Sequence, residues 1–233
     1  MSTLIMRGGW HASCLIAAIG LAGCAQSSPR TPHASNSRIL TFDFEEPAVG
    51  QLPADFTAAQ TGPGAPPEWV IHLDRAAASG EKVLAQRDTD NTRNRYPLCI
   101  YEDLQTSDVD VSVQYKLISG EIDQAAGIVV RLQDKDNYYI TRANALEDNI
   151  RFYKVQDGKR TQLATAALQT TANEWHTLRL KSQGNRFEIY HDGNKMLDVT
   201  DETFARAGKV GLWTKADSVT YFDNLKVQPL SRQ

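Results

Sequence analysis

Residues Val109-Asp110-Val111-Ser112-Val113-Gln114-Tyr115-Lys116-Leu117 alternate apolar and polar side chains without a break. A period of two lines all the odd positions along one face, which a helix of 3.6 residues per turn cannot do. The segment is therefore predicted as a half-buried antiparallel strand, and such a strand needs partners. Candidates follow at short spacing: 127–132, 138–144, 150–155, 176–181, 186–191, 210–214 and 219–227. Between them stand turn-forming clusters such as Asp134-Lys135-Asp136-Asn137, Gln156-Asp157-Gly158-Lys159 and Asp192-Gly193-Asn194. An earlier run, Ile39 to Phe44, opens the ordered part. No stretch carries a long helical pattern. Asp198 to Ala207 has room for one or two helical turns, and Leu163 to Thr171 reads as strand or loop. Many short antiparallel strands in one chain imply an all-β fold, a two-sheet antiparallel jelly-roll sandwich spanning residues 38–229. No internal repeat of solenoid or propeller period is present.

Upstream of that block the composition changes twice. One charge, Arg7, precedes the run Cys14-Leu15-Ile16-Ala17-Ala18-Ile19-Gly20-Leu21, too short to span a bilayer core of about 30 Å. It reads as the apolar part of a signal peptide, residues 1–23. The run closes on Leu21-Ala22-Gly23-Cys24, which resembles the lipobox of bacterial lipoproteins. The resemblance implies cleavage before Cys24 and acylation of its thiol, with the bilayer as partner. Two or more acyl chains on one cysteine hold stably, where one chain is marginal. No acidic residue follows, since Ala25 and Gln26 come next, so the expected location is the outer membrane. Residues 24–37 are rich in Ser, Pro, Thr and Asn and read as a disordered tether.

Processing of that kind leaves Cys99 as the one free thiol, so no internal disulfide forms. Cys99 sits between Leu98 and Ile100 and reads as a small buried hydrophobe. The formal net charge is −3, spread without long blocks. That balance speaks against nucleic acid as a partner.

Three segments carry a family resemblance. They are Gly127 through Tyr139, then Glu174-Trp175-His176-Thr177-Leu178-Arg179-Leu180 through Ile189-Tyr190-His191-Asp192-Gly193, and Gly208-Lys209-Val210-Gly211-Leu212-Trp213-Thr214-Lys215-Ala216-Asp217-Ser218, closing with Phe222-Asp223-Asn224-Leu225-Lys226-Val227. Together they resemble the concanavalin A-like lectin/glucanase superfamily, in particular its laminin-G-like and 3-keto-disaccharide hydrolase-type domains. The resemblance implies the sandwich and leaves the activity open, because fold and function separate readily. Trp175 is expected in the core, while Trp213 fits core and binding face equally.

Retaining glucanases of this fold carry Glu, Asp and Glu alternating along one strand, which aims three carboxylates into one cleft. Here Glu121-Ile122-Asp123 leads to Ala125, so the second catalytic carboxylate is missing and the pair reads as loop residues. A basic and amide-rich set is the candidate ligand-binding group: Arg131, Arg142, Asn144, Asn149, Arg151, Tyr153 and Lys215. Guanidinium and amide groups suit sugar hydroxyls, which need donors and acceptors fixed in direction. Parity places Arg142 and Asn144 on the face of Ile140. The competing reading is that Arg131 and Arg151 pair with neighbouring acids on a solvated face. Asp43 and Asp223, on first and last strands expected to pair, are candidate oxygen ligands for a structural Ca²⁺; strand-edge polar residues capping turns are the plainer alternative. No cofactor is otherwise expected. No His, Cys and carboxylate spacing resembles a zinc site, and His72, His176 and His191 each stand alone in the sequence.

The sequence thus favours an envelope-anchored, non-catalytic domain that binds an oligosaccharide. The first alternative is a glycoside-cleaving enzyme of the 3-keto-disaccharide hydrolase type, in which Arg131 or Glu147 would matter. The second is a protein-interaction or scaffold module of the envelope.

Overall fold

A computed structural model of the chain describes residues 38–231. The expected signal peptide, Cys24 and the expected tether lie outside them. The described residues contain strands and turns and no helix. In chain order the strands are β1 (Leu40–Phe42), β2 (Phe56–Thr61), β3 (Trp69–Leu73), β4 (Lys82–Gln86), β5 (Tyr96–Thr106), β6 (Val109–Ser119), β7 (Ala125–Asp134) and β8 (Asn137–Asn144). They continue as β9 (Asn149–Gln156), β10 (Lys159–Ala167), β11 (His176–Gln183), β12 (Arg186–His191), β13 (Asn194–Thr200), β14 (Gly208–Trp213) and β15 (Val219–Pro229).

Pairing is antiparallel throughout and builds two sheets. The eight-stranded sheet runs β13-β12-β11-β6-β15-β4-β3, with β1 also on β15; the seven-stranded sheet runs β10-β9-β8-β7-β14-β5-β2. First and last strands pair as expected, Leu40 opposite Val227 and Phe42 opposite Leu225. The alternation on β6 does what its period requires: Val109, Val111, Val113, Tyr115 and Leu117 are all buried in the core between the sheets. Facing them from the other sheet are Ile128, Val130, Tyr139, Phe152 and Leu212. The layers meet ring on ring, with Phe187 of β12 4.5 Å from Tyr139 and 4.9 Å from Phe152. Burying each such side chain contributes about 1.5–3 kcal/mol before ordering costs.

The seven-stranded sheet is apolar on its other face as well. Leu98, Ile100, Val129, Tyr138, Ile140, Tyr153, Val155 and Trp213 form a second cluster there. Trp213 is therefore core, though of this outer cluster rather than of the sandwich interior. Trp175, expected in the core, is only half-buried. Its indole Nε1 donates to the Ala76 carbonyl at 2.6 Å and its ring carries the Lys116 ammonium at 4.8 Å. The polar indole edge and a neighbouring cation both favour the rim over the interior.

Asp198 to Ala207 forms no helix. Its first residues belong to β13, where Asp198 stands opposite Glu188, and the rest is loop. Asp201 closes a local turn by accepting the Thr203 N–H at 2.8 Å and takes the Tyr139 hydroxyl at 2.5 Å. A side chain used in this way competes directly with helical hydrogen bonding. Leu163 to Thr171 divides between the end of β10 and a loop.

Candidate functional site

The site is built on the outer face of the seven-stranded sheet, around the hairpin of β8 and β9. Register puts Arg142 opposite Arg151 and Asn144 opposite Asn149. With Ile140 and Tyr138 they share one face, as parity predicts. The turn between these strands is shaped by Asn144, whose Oδ1 accepts the Leu146 and Glu147 N–H groups at 2.9 and 2.8 Å. That turn folds Glu147 back over its own strands.

Glu147 becomes the hub. Its Oε2 accepts from Arg142 Nη2 at 2.7 Å and from Arg151 Nη1 at 2.8 Å, and its Oε1 lies 3.3 Å from Lys215 Nζ. Arg142 also donates to Asn149 Oδ1 at 2.5 Å and to the Tyr153 hydroxyl at 3.3 Å. Lys215, just beyond β14, makes a second ion pair with Asp123, which also accepts from Asn144. Asp123 comes from the loop joining β6 to β7. Asp217 holds that loop by accepting the N–H groups of Glu121, Ile122 and Asp123 at 2.7, 3.0 and 3.0 Å.

Beside this polar set lies a buried aromatic cluster, covered by Arg160. Tyr96 and Trp213 stack with ring centres 5.4 Å apart. The Arg160 guanidinium lies over three rings, 4.4 Å from Tyr153, 4.8 Å from Tyr96 and 5.9 Å from Trp213. Arg160 is on β10 and Tyr96 on β5, five strand spacings apart, or about 24 Å in a flat sheet. Two side chains cannot bridge that distance, so the sheet curls toward this face and makes it concave.

The two carboxylates are driven in opposite directions. Burial tends to raise Glu147, but the charges of Arg142 and Lys215, the hydrogen bond from Arg142 and the charge of Arg151 outweigh it and hold the group at about 2. Burial dominates at Asp123 and raises its pKa in spite of Lys215 and Arg142, with Glu147 adding to the rise. Arg142 is wholly buried, whereas Arg151 and Glu147 side chains are each about a third exposed at 30% and 32%. The accessible edge of the site is thus Arg151, Glu147 and Lys215. Arg142 Nε, Arg151 Nε and Arg160 Nη1 are buried donors with no protein acceptor.

Of the seven predicted residues, Arg142, Asn144, Asn149, Arg151, Tyr153 and Lys215 come together here. Arg131 does not. It has φ +52° within an irregularity of β7 between Val130 and Asp134, which reverses the side-chain alternation. Its guanidinium turns inward over the Phe187 ring at 5.0 Å and donates to the carbonyls of Ser107, Phe204 and Gly184. Glu121 is exposed, as a loop residue should be, while Asp123, read as its loop companion, is buried in the site. Asp123, Arg160 and Tyr96 were not among the predicted group. The available signal was Gly120, a turn residue that places the loop beside the end of β14.

The Ca²⁺ candidates stand differently. Buried Asp223 accepts the Ser79 N–H at 2.8 Å, the Asn224 N–H at 2.6 Å and the Ser79 hydroxyl, which satisfies the carboxylate from within the protein. Asp43 is exposed and accepts the Glu45 N–H at 3.2 Å. His72 packs at 5.1 Å on Tyr221, but His176 and His191 do not stand alone, since their rings are 5.1 Å apart.

A family profile described as the 3-keto-alpha-glucoside-1,2-lyase-like domain matches residues 61–228. The chain belongs to this family. The match covers β3 through β14 and β15 up to Gln228, and includes every residue of the site. This 3-keto-alpha-glucoside-1,2-lyase-like domain is also 29% identical over 106 residues to a levanase of Bacillus subtilis (strain 168), a stretch covering 44% of this chain and 15% of the levanase. Among solved structures it is similar to the carbohydrate-binding module CBM66 from Bacillus subtilis, at TM-score 0.60 and 20% identity over 73% of this chain and 94% of that one. A Bacillus subtilis protein of unknown function with a galectin-like fold aligns at TM-score 0.54 and 10% identity, over 77% of this chain and 91% of the other. At such identities the likeness is one of fold, the concanavalin A-like sandwich.

Proposed function

We propose that the concave face binds a saccharide without cleaving it. The observation that carries this reading is the Glu147 hub: one carboxylate fixed by two guanidiniums and an ammonium, on a concave face backed by buried aromatic rings. The hub orients donors and acceptors of both kinds before any ligand arrives, which lowers the ordering cost of recognising a hydroxyl-rich molecule. A carbohydrate-binding module and a levanase among the similar proteins support the class of ligand, and levan-type fructan is the first to test. Calorimetry of the purified protein against fructans, β-glucans and host glycans should find one that saturates. Arg151→Ala should weaken that saccharide at least tenfold with the fold intact. Silence of the wild-type protein across all three classes overturns the reading.

Elimination is the second reading, suggested by the family description and by the opposed carboxylates. In a 3-keto-glucoside a base removes the C2 proton, the C1–O bond breaks and the departing oxygen takes up a proton. Asp123, with its raised pKa, has the character of the acid. Glu147 as base is disfavoured by the same three cations that fix it, because a carboxylate held at about 2 accepts protons poorly. Binding therefore stands first. Incubation with a 3-keto-glucoside and mass spectrometry of the products separates the two: turnover lost in Asp123→Asn favours elimination.

We also propose that Cys24 carries the acyl anchor that tethers the domain to the cell envelope, on the outer membrane. The support is the lipobox-like Leu21-Ala22-Gly23-Cys24. Cys24→Ala should release the protein from the membrane fraction and abolish lipid labelling; retention of either counts against an anchor at that residue.

A further inference from the structure

We propose that His176, His191 and Asp192 form a site for a divalent transition metal, with zinc as the probe, separate from the concave face. The antiparallel register of β6, β11 and β12 builds it. Tyr115 stands opposite His176 and Leu178 opposite His191, so both histidines lie at one end of the core-facing side of the eight-stranded sheet. The next residue, Asp192, begins the turn to β13 with φ +46°. One nitrogen from each ring and one Asp192 oxygen all lie within 4.8 Å of one another.

The far side of each ring is held by protein partners. Thr171 Oγ1 is 2.5 Å from Glu174 Oε2 and 3.0 Å from His176 Nε2. The Thr171 N–H donates to that nitrogen at 3.3 Å, so in the metal-free protein Nε2 accepts and Nδ1–H goes to Asp192. His191 Nε2 is 2.8 Å from the Tyr115 hydroxyl, which can itself donate to Thr170 Oγ1 at 3.0 Å. Both Nδ1 atoms face the same Asp192 Oδ2, from 2.8 and 3.4 Å. A metal bound among the three atoms would move the His176 ring proton from Nδ1 to Nε2, where Thr171 Oγ1 can accept it. Metal-binding histidines are oriented in this way, by a hydrogen bond from the ring nitrogen remote from the metal. Tetrahedral zinc at about 2.0–2.1 Å from each ligand sets the ligand atoms about 3.3 Å apart, which the 3.4 Å from His191 to Asp192 already meets and the 2.8 Å from His176 meets after opening by about 0.5 Å. His191 is 6% exposed, and the Asp192 side chain is 43% exposed, so a fourth position opens to solvent.

The test uses the full chain without a histidine tag, stripped with chelator. Zinc titration should show one equivalent bound, and Co²⁺ should give visible ligand-field bands of a four-coordinate site. Zinc a hundredfold above Kd should raise Tm by roughly 5–10 °C. Asp192→Asn keeps the size of the side chain and should weaken zinc at least tenfold; Tyr115→Phe, which removes an orienting hydroxyl, should weaken it roughly 10–100-fold. His191→Ala should abolish uptake if it folds, and the Asn variant decides the matter if it does not. No stoichiometric uptake by the folded wild-type protein, or uptake unchanged in Asp192→Asn, overturns the proposal. In the first case the cluster is a metal-free hydrogen-bonded pair with Nδ1–H donated to Asp192.

Discussion

Glu147 is a surface residue by sequence and a junction by structure, and its charge state should be visible in the acid stability of the protein. Its folded pKa of about 2 lies below the ordinary carboxylate value, the case in which stability is present above the unfolded pKa and drains away as pH falls through the folded one. Wild-type protein should therefore lose stability between about pH 5 and pH 2 more steeply than Glu147→Gln, as measured by urea denaturation at each pH. Equal slopes mean that the three cations do not hold the carboxylate. At neutral pH the same variant leaves the buried Arg142 guanidinium short of its counter-charge, at a cost of about 1–2 kcal/mol for a pair with one partly exposed member. Arg142, Asn144, Arg151 and Tyr153 were legible as polar groups set within apolar strands, with parity placing Arg142 and Asn144 on one face. Arg131 was not, because a left-handed backbone angle leaves no trace in residue type when the residue is an arginine.

Position of the Asp123 loop depends on one carboxylate beyond β14. Asp217 takes three consecutive N–H groups of the 121–123 segment, and Gly120 before them adopts φ +153°. A Cβ on Gly120 would meet the Asp123 carbonyl oxygen at 1.9 Å. Gly120→Ala should cost at least about 2 kcal/mol through strain alone. Asp217→Ala should orphan the three donors, and in calorimetry it should weaken any saccharide bound by wild-type protein at least fivefold, although Asp217 is not placed at the accessible edge. Unchanged affinity would show that Asp123 holds its place without the loop. Alternation found β6 because one of its faces is polar, while turn residues bounded most of the later strands. It passed over β4, where Val83, Leu84, Ala85 and Gln86 are all buried, and β2, whose Thr-Ala-Ala-Gln centre offers no large apolar side chain. Period two disappears when both faces of a strand are covered.

At the scale of the molecule, the seven-stranded sheet is a wall between two apolar clusters, and its curl makes the site. Neither was readable in advance: a strand such as β7, buried from Ala125 through Leu132, does not say which face meets the other sheet. Cys99 on β5 sits in the inner cluster, wholly buried, opposite Leu212 on one side and Ala58 on the other. Burial pushes its thiol pKa far up, so little thiolate exists in the folded state. A disulfide reagent can reach it only when the two sheets part or when β2 or β14 leaves β5. With Cys14 and Cys24 changed to Ser, labelling of Cys99 should therefore proceed at least about a thousandfold slower than in urea-unfolded chain, and its rate should rise with the unfolded population. Because β14 leads to Lys215 and β5 begins at Tyr96, a ligand on the concave face should slow the labelling further. Fast labelling with a native circular-dichroism spectrum would mean instead that β2, the edge strand, opens alone, and that the sheet behind the site is less firmly held than its two clusters imply.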